Sequence, residues 1–216
     1  MKTYSVKEAY VTLQGEGAQT GRAAVFLRFA GCNLWSGLER DRPSAICNFC
    51  DTDFVGTDGE NGGKFSGAEA LAAHVLQVWT ESGPTGGTPY VICTGGEPLL
   101  QLDPAAIAAL KAVAFEIGIE TNGTLPAPEG LDWICVSPKA NAALKQVSGD
   151  ELKLVFPQDA PEAQPSQFES LQFQHFFLQP KDDTAHAQNI AATAAYCMKH
   201  PKWRLSLQTH KLIGLP

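Results

Sequence analysis

Three cysteines lie within one short stretch of the chain, GCNLWSGLERDRPSAICNFCDTDF at residues 31–54. Cys47 and Cys50 form a C-x-x-C pair, and fourteen residues separate that pair from Cys32. A disulfide needs an oxidising compartment, a thioredoxin-like pair would leave Cys32 without a role, and a structural zinc site needs a fourth ligand. The fourth possibility is a [4Fe-4S] cluster held by three thiolates, with one iron left for a non-protein ligand.

The remaining three cysteines offer no clear fourth ligand. Cys93, Cys135 and Cys197 each sit in an apolar segment, where a cysteine packs as a small apolar side chain. Phe49, directly before Cys50, would lie beside whatever the open iron binds, although a ring packed in a tight turn explains it equally well. The residues alone favour the cluster, and a zinc-binding interaction module remains the alternative from another class of protein.

Short apolar runs alternate with helical patterns, and these elements must position the thiols. The apolar runs predict strands over residues 23–31, 89–96, 116–121, 132–139, 151–156, 174–180 and 203–210. Apolar residues at helical spacing predict helices over residues 66–79, 103–115 and 184–200. Such alternation is typical of a parallel sheet covered by helices. We expect an α/β fold, an incomplete, modified β/α barrel of about six mainly parallel strands, because a full barrel needs eight.

Capping signals and glycines mark the boundaries of these elements. Ser66 followed by Glu69 matches a capping box, and Asp103 followed by Pro104 is a strong helix start. The polar, glycine-rich residues 55–65 predict a loop.

Polar motifs follow the ends of four predicted strands. These motifs are CTGGEP (93–98), ETNG (120–123), VSPK (136–139) and LQP (178–180). In parallel β/α folds, ligands bind at the edge where the strands end. The four motifs are therefore expected to converge on one site.

The composition favours a small molecule as partner over a polyanion or a bilayer. The 16 basic and 23 acidic residues give a net charge of −7, without the basic stripe of a nucleic-acid-binding protein. No eighteen-residue apolar run suggests a membrane span, and the start, MKTYSVKEAY, lacks the apolar core of a secretory signal. We expect one cytoplasmic domain over residues 1–216, with a cluster-binding loop at 31–54 and neither nucleic acid nor membrane as partner.

Several motifs in order resemble one enzyme superfamily. The three-cysteine loop, the aromatic before its last cysteine and the later GGEP are similar to radical S-adenosylmethionine (SAM) enzymes, which usually place three residues between the first two cysteines. The longer loop costs roughly 1.3 kcal/mol more to close, which three thiolate–iron bonds can offset. The resemblance extends to the 7-carboxy-7-deazaguanine synthase family, over nearly the whole chain, through TLQGEG (12–17), FLRFAGCNLW (26–35), CDTDF (50–54), TGGEP (94–98), ETNG (120–123), VSPK (136–139) and the LQTH tail.

This resemblance implies an activity, its cofactors and its partners. The implied enzyme is a carbon–nitrogen lyase that converts 6-carboxy-5,6,7,8-tetrahydropterin to 7-carboxy-7-deazaguanine with release of ammonia, in queuosine and 7-deazapurine biosynthesis. The implied cofactors are a [4Fe-4S] cluster, SAM and Mg²⁺, and a radical from SAM would abstract the C6 hydrogen before the ring contracts. The implied assembly is a homodimer served by an electron donor such as flavodoxin or ferredoxin.

The resemblance also implies roles for residues around the cofactors. The implied cluster ligands are Cys32, Cys47 and Cys50. Gly95 and Gly96 would present backbone groups to the SAM amino group, because side chains would block a close approach, and Glu97 would orient that turn. The rest of the implied SAM pocket consists of Phe49, Cys50, Asp51, Glu120, Asn122, Ser137, Pro138, Lys139, Gln179, Pro180, Lys181 and Asp182. On local pattern alone, residues 137–139 are more simply explained as a strand-ending turn.

The substrate has two recognisable ends. Carboxylates such as Glu16 suit the N–H donors of its pterin edge, and Arg28 suits its carboxylate. An arginine in an apolar strand needs a partner if it is buried, whereas one that points outward is merely solvated. Thr52 would hold Mg²⁺ together with substrate oxygens. The implied substrate contacts are Leu13, Gln14, Gly15, Glu16, Arg28, Thr94, His210 and the terminal carboxylate of Pro216. Arg28 and Glu16 would position the substrate, and the SAM radical would carry the chemistry.

A second radical SAM function also stays open. An activase that installs a glycyl radical in a partner protein shares the cluster and GGEP, but not LQGEG together with ETNG. An iron–sulfur chromophore would separate both radical SAM alternatives from the zinc-binding module.

Overall fold

The protein, seen in a computed structural model that describes residues 1–216, contains nine strands and four α-helices. The strands are β1 (Thr3–Leu13), β2 (Ala23–Phe29), β3 (Gly63–Ser66), β4 (Tyr90–Gly95), β5 (Glu116–Thr121), β6 (Trp133–Val136), β7 (Ser148–Phe156), β8 (Gln172–Pro180) and β9 (Trp203–Leu205). The helices are α1 (Ala68–Glu81), α2 (Pro104–Ala112), α3 (His186–Lys199) and α4 (Thr209–Ile213). Short 3₁₀ helices lie at Gly17–Gln19, Glu39–Ser44, Pro98–Leu100, Pro161–Ala163 and Pro165–Gln167.

All nine strands form one open sheet in the order β3-β1-β2-β4-β5-β6-β7-β8-β9. From β2 through β4 to β9 every neighbouring pair is parallel, whereas β1 pairs with β2 and β3 pairs with β1 in antiparallel fashion. The sheet stays open because β3 and β9 lie at opposite edges. The expected α/β class with a mainly parallel, incomplete barrel is confirmed, but the count of about six strands is too low.

Two apolar clusters cover one face of the sheet. In the larger cluster α1 and α2 pack against residues such as Leu27, Val91 and Ile117, all fully buried. In the smaller cluster Leu152 and Leu178 pack around Trp203. Each such side chain contributes about 2 kcal/mol by leaving water, so this face fixes the orientation of every strand. The opposite face carries a small apolar cluster of Ala24, Tyr90 and Ile92 and, beside it, mostly polar residues.

The first strand, β1, was not predicted from sequence. Its apolar alternation is interrupted because the pairing register with β2 shifts between Val6 and Glu8. At that irregularity Lys7 is 7 % exposed and forms ion pairs with Asp53 and Asp58, both at 2.8 Å. A lysine at an apparently buried position therefore hid the strand pattern.

The predicted loop over residues 55–65 and the capping box after it need correction. Gly63–Ser66 forms β3, which pairs with the start of β1. The N-cap of α1 is Gly67, with φ +94° and no side-chain cap, so the capping-box role of Ser66 is wrong. At α2 the prediction is confirmed, because the Asp103 side chain accepts a hydrogen bond from the Ala106 amide at 3.0 Å.

The predicted last strand, residues 203–210, is also too long. β9 ends at Leu205, where it pairs with Leu178 of β8. The chain then leaves the sheet, and Thr209 begins α4 while its amide donates to the Gly15 carbonyl at 2.9 Å. None of the helices combines the length and apolar character needed to cross a bilayer.

Candidate active site

A polar cavity of about 420 Å³ opens on the face of the sheet opposite α1 and α2. Only seven of its 31 lining residues are hydrophobic, and the walls carry thiols, carboxylates and cationic groups. The volume is typical of a small-molecule site, and the polar lining suits a charged or strongly hydrogen-bonding ligand.

Strand periodicity brings the polar side chains to this face. Successive residues of a strand point to opposite sides, so Val25 and Leu27 face the helices while Arg28 faces the cavity. The same rule operates along the other parallel strands. On the parallel strands, the main cavity-facing polar residues are Arg28 on β2, Thr94 on β4, Glu120 on β5, Lys153 on β7 and Gln179 on β8.

The three loop cysteines are free thiols, and two of them, Cys47 and Cys50, line the cavity. Cys47 hydrogen-bonds to Cys50, which lowers the pKa of Cys50 to about 6. The same bond, together with burial, raises the pKa of Cys47. Burial raises the pKa of Cys32, opposed by the amides of Leu34 and Trp35. Cys50 is thus the thiol that most readily ionises to act as a ligand.

The three thiols of residues 31–54 form a donor set that suits an iron–sulfur cluster. No group of three or more His, Cys, Asp or Glu side chains is close enough to hold one metal ion. A cluster of several irons takes its thiolates at different metal atoms, and cysteine thiolates are its usual ligands. Three free thiols on residues 31–54, one with a lowered pKa, provide that donor set.

The turn after β4 brings two glycines against the thiol loop. A Cβ on Gly95, whose φ is +145°, would lie 2.3 Å from the Phe29 carbonyl oxygen. A Cβ on Gly96 would lie 2.3 Å from the Gly31 carbonyl oxygen and 2.6 Å from the Cβ of Cys32. Only glycine permits this close approach, so backbone groups rather than side chains face the cavity here.

Glu97 holds that turn from behind. It is fully buried, and its carboxylate accepts hydrogen bonds from the amides of Leu99 and Asn122 and from the Thr121 hydroxyl, at 2.8 to 3.0 Å. Its own amide donates to the Gly31 carbonyl at 2.9 Å. Burial raises the pKa of Glu97, and these hydrogen bonds oppose the rise. Glu97 therefore links the ends of β4 and β5 to the thiol loop.

Replacing Gly96 with alanine should weaken both the fold and the loading of the thiol loop. The backbone of Gly96 is not in the left-handed region, so the destabilisation of the alanine variant would come from the clash of its Cβ with Gly31 and Cys32. We expect a loss of about 1–3 kcal/mol of unfolding free energy and a lower iron content after reconstitution. Gly63→Ala is the matched control, because its Cβ would meet the Phe65 ring at an ordinary 3.4 Å. Equal iron content in the two variants would contradict the assignment.

A buried charge network forms the floor of the cavity. Lys153, 5 % exposed, forms ion pairs with Glu16 at 2.5 Å and with Glu120 at 2.9 Å. Glu16 also accepts hydrogen bonds from Gln179 at 2.8 Å and from Gln208 at 3.0 Å. Besides Lys153, Glu120 accepts one hydrogen bond, from the side-chain amide of Gln14 at 3.1 Å, and so keeps more free lone pairs than Glu16.

Lys153 keeps this network ionised. Burial by itself would raise the pKa of Glu16, but the nearby Lys153 charge and hydrogen bonds lower that pKa to about 2. Burial likewise acts to lower the pKa of Lys153, yet the surrounding Cys135, Glu120 and Glu16 raise it well above its usual value. Glu16 and Lys153 therefore stay charged across the neutral pH range.

Arg28 is mostly buried and faces the cavity, which excludes the outward-pointing, solvated alternative. Its Nε donates to Glu8 at 2.7 Å, and β1 places Glu8 directly opposite Arg28 in the pairing register. Burial acts to lower the pKa of Arg28, but Glu8 and Tyr10 raise it. One edge of the guanidinium is thus held by Glu8, which leaves the other for a ligand.

Lysines surround the rim near the thiols. Lys139 donates to the carbonyl and hydroxyl oxygens of Ser137 at 2.9 and 2.6 Å. Lys211 on α4 bridges Asp51 at 3.1 Å and Asp182 at 2.5 Å. These contacts tie the thiol loop, the segment after β8 and α4 together over the cavity.

Most of the residues singled out in the sequence line this one cavity. They are Leu13, Gln14, Glu16, Arg28, Cys47, Phe49, Cys50, Asp51, Thr52, Thr94, Gly95, Gly96, Glu120, Asn122, Ser137, Lys139, Gln179, Pro180, Lys181, Asp182, His210 and Pro216. The four that do not line it are Gly15, Cys32, Glu97 and Pro138. Gly15 instead packs under His210, whose Nδ1 would lie 2.0 Å from a Cβ at residue 15.

Sequence reasoning missed several cavity residues. The principal ones are Glu8, Tyr10, Lys153, Gln208 and Lys211. The signal for Lys153 was present, since a lysine interrupts the apolar run ELKLVF, but its acidic partners come from distant segments.

Comparison with known proteins gives consistent full-length similarity. The chain is 63 % identical to the 7-carboxy-7-deazaguanine synthase of Caulobacter vibrioides over 214 residues, covering 99 % of this chain and 100 % of that one. It is 60 % identical to the 7-carboxy-7-deazaguanine synthase of Bordetella pertussis, covering 99 % of both chains. A more distant synthase from Neisseria meningitidis is 31 % identical over 98 % of this chain and 94 % of its own.

A solved structure shares the fold. The crystal structure of QueE from Escherichia coli superimposes with a TM-score of 0.69 at 26 % sequence identity, covering 95 % of this chain and 93 % of that one. No family model matches the chain.

Proposed function

Because the chain belongs to the 7-carboxy-7-deazaguanine synthase family, we propose that it converts 6-carboxy-5,6,7,8-tetrahydropterin to 7-carboxy-7-deazaguanine and ammonia. It is a radical SAM lyase of queuosine and 7-deazapurine biosynthesis, as its family implies. Because the chain belongs to this family, the two alternative functions of the thiol loop, an activase and a zinc-binding module, are set aside.

The observation that supports this proposal most directly is that two different sets of groups line one cavity. The first set is Cys47, Cys50 and the backbone of Gly95 and Gly96. The second set is Arg28 together with the floor residues Glu16, Lys153 and Glu120. A redox cofactor and a polar heterocycle with a carboxylate could therefore lie side by side.

We propose that Cys32, Cys47 and Cys50 bind a [4Fe-4S] cluster, and that SAM lies along the edge formed by the two glycines. The cluster and SAM, when bound, supply a carbon radical able to abstract hydrogen from an unactivated C–H bond. The protein's own residues orient both ligands and exclude water. The further SAM contacts in this proposal are Phe49, Asp51, Asn122, Ser137, Pro138, Lys139, Pro180, Lys181 and Asp182.

We propose that the floor of the cavity binds the pterin edge. The carboxyl groups of Glu120 and Glu16 are acceptors that suit the N–H donors of that edge, and Glu120 keeps more unoccupied lone pairs. The Gln14 side chain donates a hydrogen bond to Glu120 and accepts one from the backbone amide of Glu16, so it fixes the spacing of the two residues. The further substrate contacts in this proposal are Leu13, Thr94, His210 and Pro216, with Gly15 supporting His210 from outside the cavity.

Replacing Arg28 with alanine should raise the dissociation constant of the carboxytetrahydropterin at least about 30-fold, because losing one partner of a buried charge pair costs about 2 kcal/mol or more. SAM cleavage without the pterin should persist. Substrate binding by calorimetry and SAM cleavage by chromatography separate the two effects. Arg204→Ala on β9 is the matched control, because Arg204 stacks on Phe177 and does not line the cavity. Unchanged substrate affinity in the Arg28 variant would contradict the carboxylate clamp.

The remaining parts of the proposal concern a metal ion and partners. Thr52 lines the cavity two residues after Cys50 and offers a hydroxyl oxygen, the kind of ligand that Mg²⁺ prefers, to be completed by substrate oxygens and water. We further propose one domain over residues 1–216, a homodimer, a cytoplasmic location, and a flavodoxin or ferredoxin as electron donor.

The direct test is anaerobic incubation of the reconstituted protein with carboxytetrahydropterin, SAM, Mg²⁺ and a reductant, followed by mass spectrometry. Formation of 7-carboxy-7-deazaguanine is the expected result. Substrate that is bound but returned unchanged under these conditions would overturn the proposed reaction. Omission of Mg²⁺ in a parallel sample tests the metal separately.

A further inference from the structure

An arginine in the middle of the thiol loop has contacts that none of the roles above uses. Arg42 lies in the 3₁₀ helix Glu39–Ser44, between Cys32 and Cys47. Its side chain is 29 % exposed, although the segment around it faces solvent. Its guanidinium contacts a carboxylate, an aromatic ring and two backbone carbonyls.

Two of these contacts fix the orientation of the guanidinium. Its Nε and Nη2 donate to the two carboxylate oxygens of Glu39 at 2.7 and 2.6 Å, a bidentate ion pair. Its face stacks on Trp35 at 4.1 Å. Trp35 is buried and packs edge-on against Phe54, so the platform under Arg42 is itself anchored.

The remaining nitrogen reaches the C-x-x-C turn. Nη1 donates to the carbonyl oxygens of Asn48 and Cys50, both at 3.0 Å. No other side chain donates to the backbone of residues 47–50, and the Cys47 amide has only a long bond of 3.5 Å to Leu34. Arg42 is therefore the side chain that connects the middle of the long loop to the backbone of the C-x-x-C turn.

We propose that Arg42 is a positioning residue that holds the Cys47–Cys50 turn in the geometry needed to bind the cluster. The identity of the bound group rests on the proposed function. A loop with fourteen residues between its first two cysteines loses more entropy on closure than a short one, and internal anchors offset that loss. A lysine could not replace Arg42, because it lacks the planar fork that binds Glu39 and two carbonyls together.

The first arm of the test uses metal-free protein. We expect alkylation of Cys47 and Cys50 by iodoacetamide to be roughly tenfold faster in Arg42→Ala than in the wild type, as hydrogen bonds from a charged donor are lost. Peptide mass spectrometry gives the rate at each cysteine. The matched control is Arg40→Ala, because Arg40 is 80 % exposed and approaches only Asp41, at 3.6 Å.

The second arm uses reconstituted protein and measures iron loss to a chelator. We expect roughly tenfold faster loss in both Arg42→Ala and Arg42→Lys, with Arg40→Ala like the wild type. Thermal unfolding shows whether each variant keeps its fold, and Arg42→Lys keeps the charge and the length of the side chain.

Two outcomes would overturn the proposal. One is that Arg42→Ala matches Arg40→Ala in both arms. The other is that Arg42→Lys matches the wild type, which would mean that charge alone matters and not the fork. If wild-type protein takes up no iron, the proposed function fails instead, and the alkylation arm still tests Arg42.

Discussion

Replacing Lys153 with methionine should lower kcat/KM for the carboxytetrahydropterin about 100-fold, because misplacing substrate-positioning groups by about 1 Å can cost that much in rate. Lys153 separates Glu16 from Glu120 and is bonded to both. Without it, two carboxylates at the cavity floor would repel each other and lose the geometry that suits the pterin edge. Steady-state kinetics with the reconstituted enzyme measures the effect.

The pH profile distinguishes this role from a general loss of stability. In the wild type Glu16, with its pKa at about 2, stays ionised throughout the working range and stabilises the fold above its usual pKa of 4.5. That stabilisation is lost as the pH falls towards about 2. In the Lys153→Met variant, fewer contacts stabilise the ionised form of the buried Glu16, so its pKa should rise. Activity should then fall as the pH is lowered through that higher pKa.

Lys153→Arg and Lys199→Met serve as controls for this prediction. The arginine keeps the charge and should recover part of the activity, whereas Lys199, the exposed last residue of α3, should tolerate methionine without effect. A Lys153→Met enzyme with wild-type kinetics and an unchanged pH profile would show that the floor network has no part in substrate binding.

Replacing Cys47 with alanine should abolish product formation, with a loss of more than about 1000-fold, because chemistry supplied by a cofactor disappears with the cofactor. Cys47 is 5 % exposed and hydrogen-bonds to Cys50. Its loss removes one cluster ligand and also removes the hydrogen bond that lowers the pKa of Cys50. Iron and sulfide analysis after anaerobic reconstitution, with the visible spectrum, reports cluster content directly.

Cys197→Ala is the matched control, because Cys197 is a half-buried thiol on α3, outside the cavity. It should assemble a normal cluster and retain activity. A Cys47→Ala protein with full iron and sulfide content would remove Cys47 from the ligand set, whatever its activity.

The elements that could be predicted from sequence were those whose signals lie within one short segment of the chain. Apolar runs such as those of β4 and β5 point to the helix-covered face, and Asp103 caps α2 within its own turn. The convergence of TGGEP and ETNG at one edge follows from parallel strand order alone. These signals are local, so they are visible in a linear reading.

The remainder depended on contacts between segments far apart in the chain. Glu8 becomes the partner of Arg28 only because β1 pairs with β2 after a shift in register. Lys153 alternates with Leu152 and Leu154, as a solvent-facing residue of β7 would, and only its pairing with Glu16 and Glu120 from two other segments makes it a buried charge. The period-two pattern on which strand prediction relies does not distinguish a buried charged residue of this kind from a solvated one.

Most side-chain hydrogen bonds of the thiol loop lie within the loop itself. Ser36 bonds to Asp41, Glu39 bonds to Arg42, and Trp35 bonds to the Leu38 carbonyl, all within residues 33–46. The segment between Cys32 and Cys47 therefore stabilises much of its own conformation, while Asn33 and Arg42 connect it to Thr124 and to the C-x-x-C turn. Residues added within it should increase the closing cost only slowly, provided that these two connections are kept.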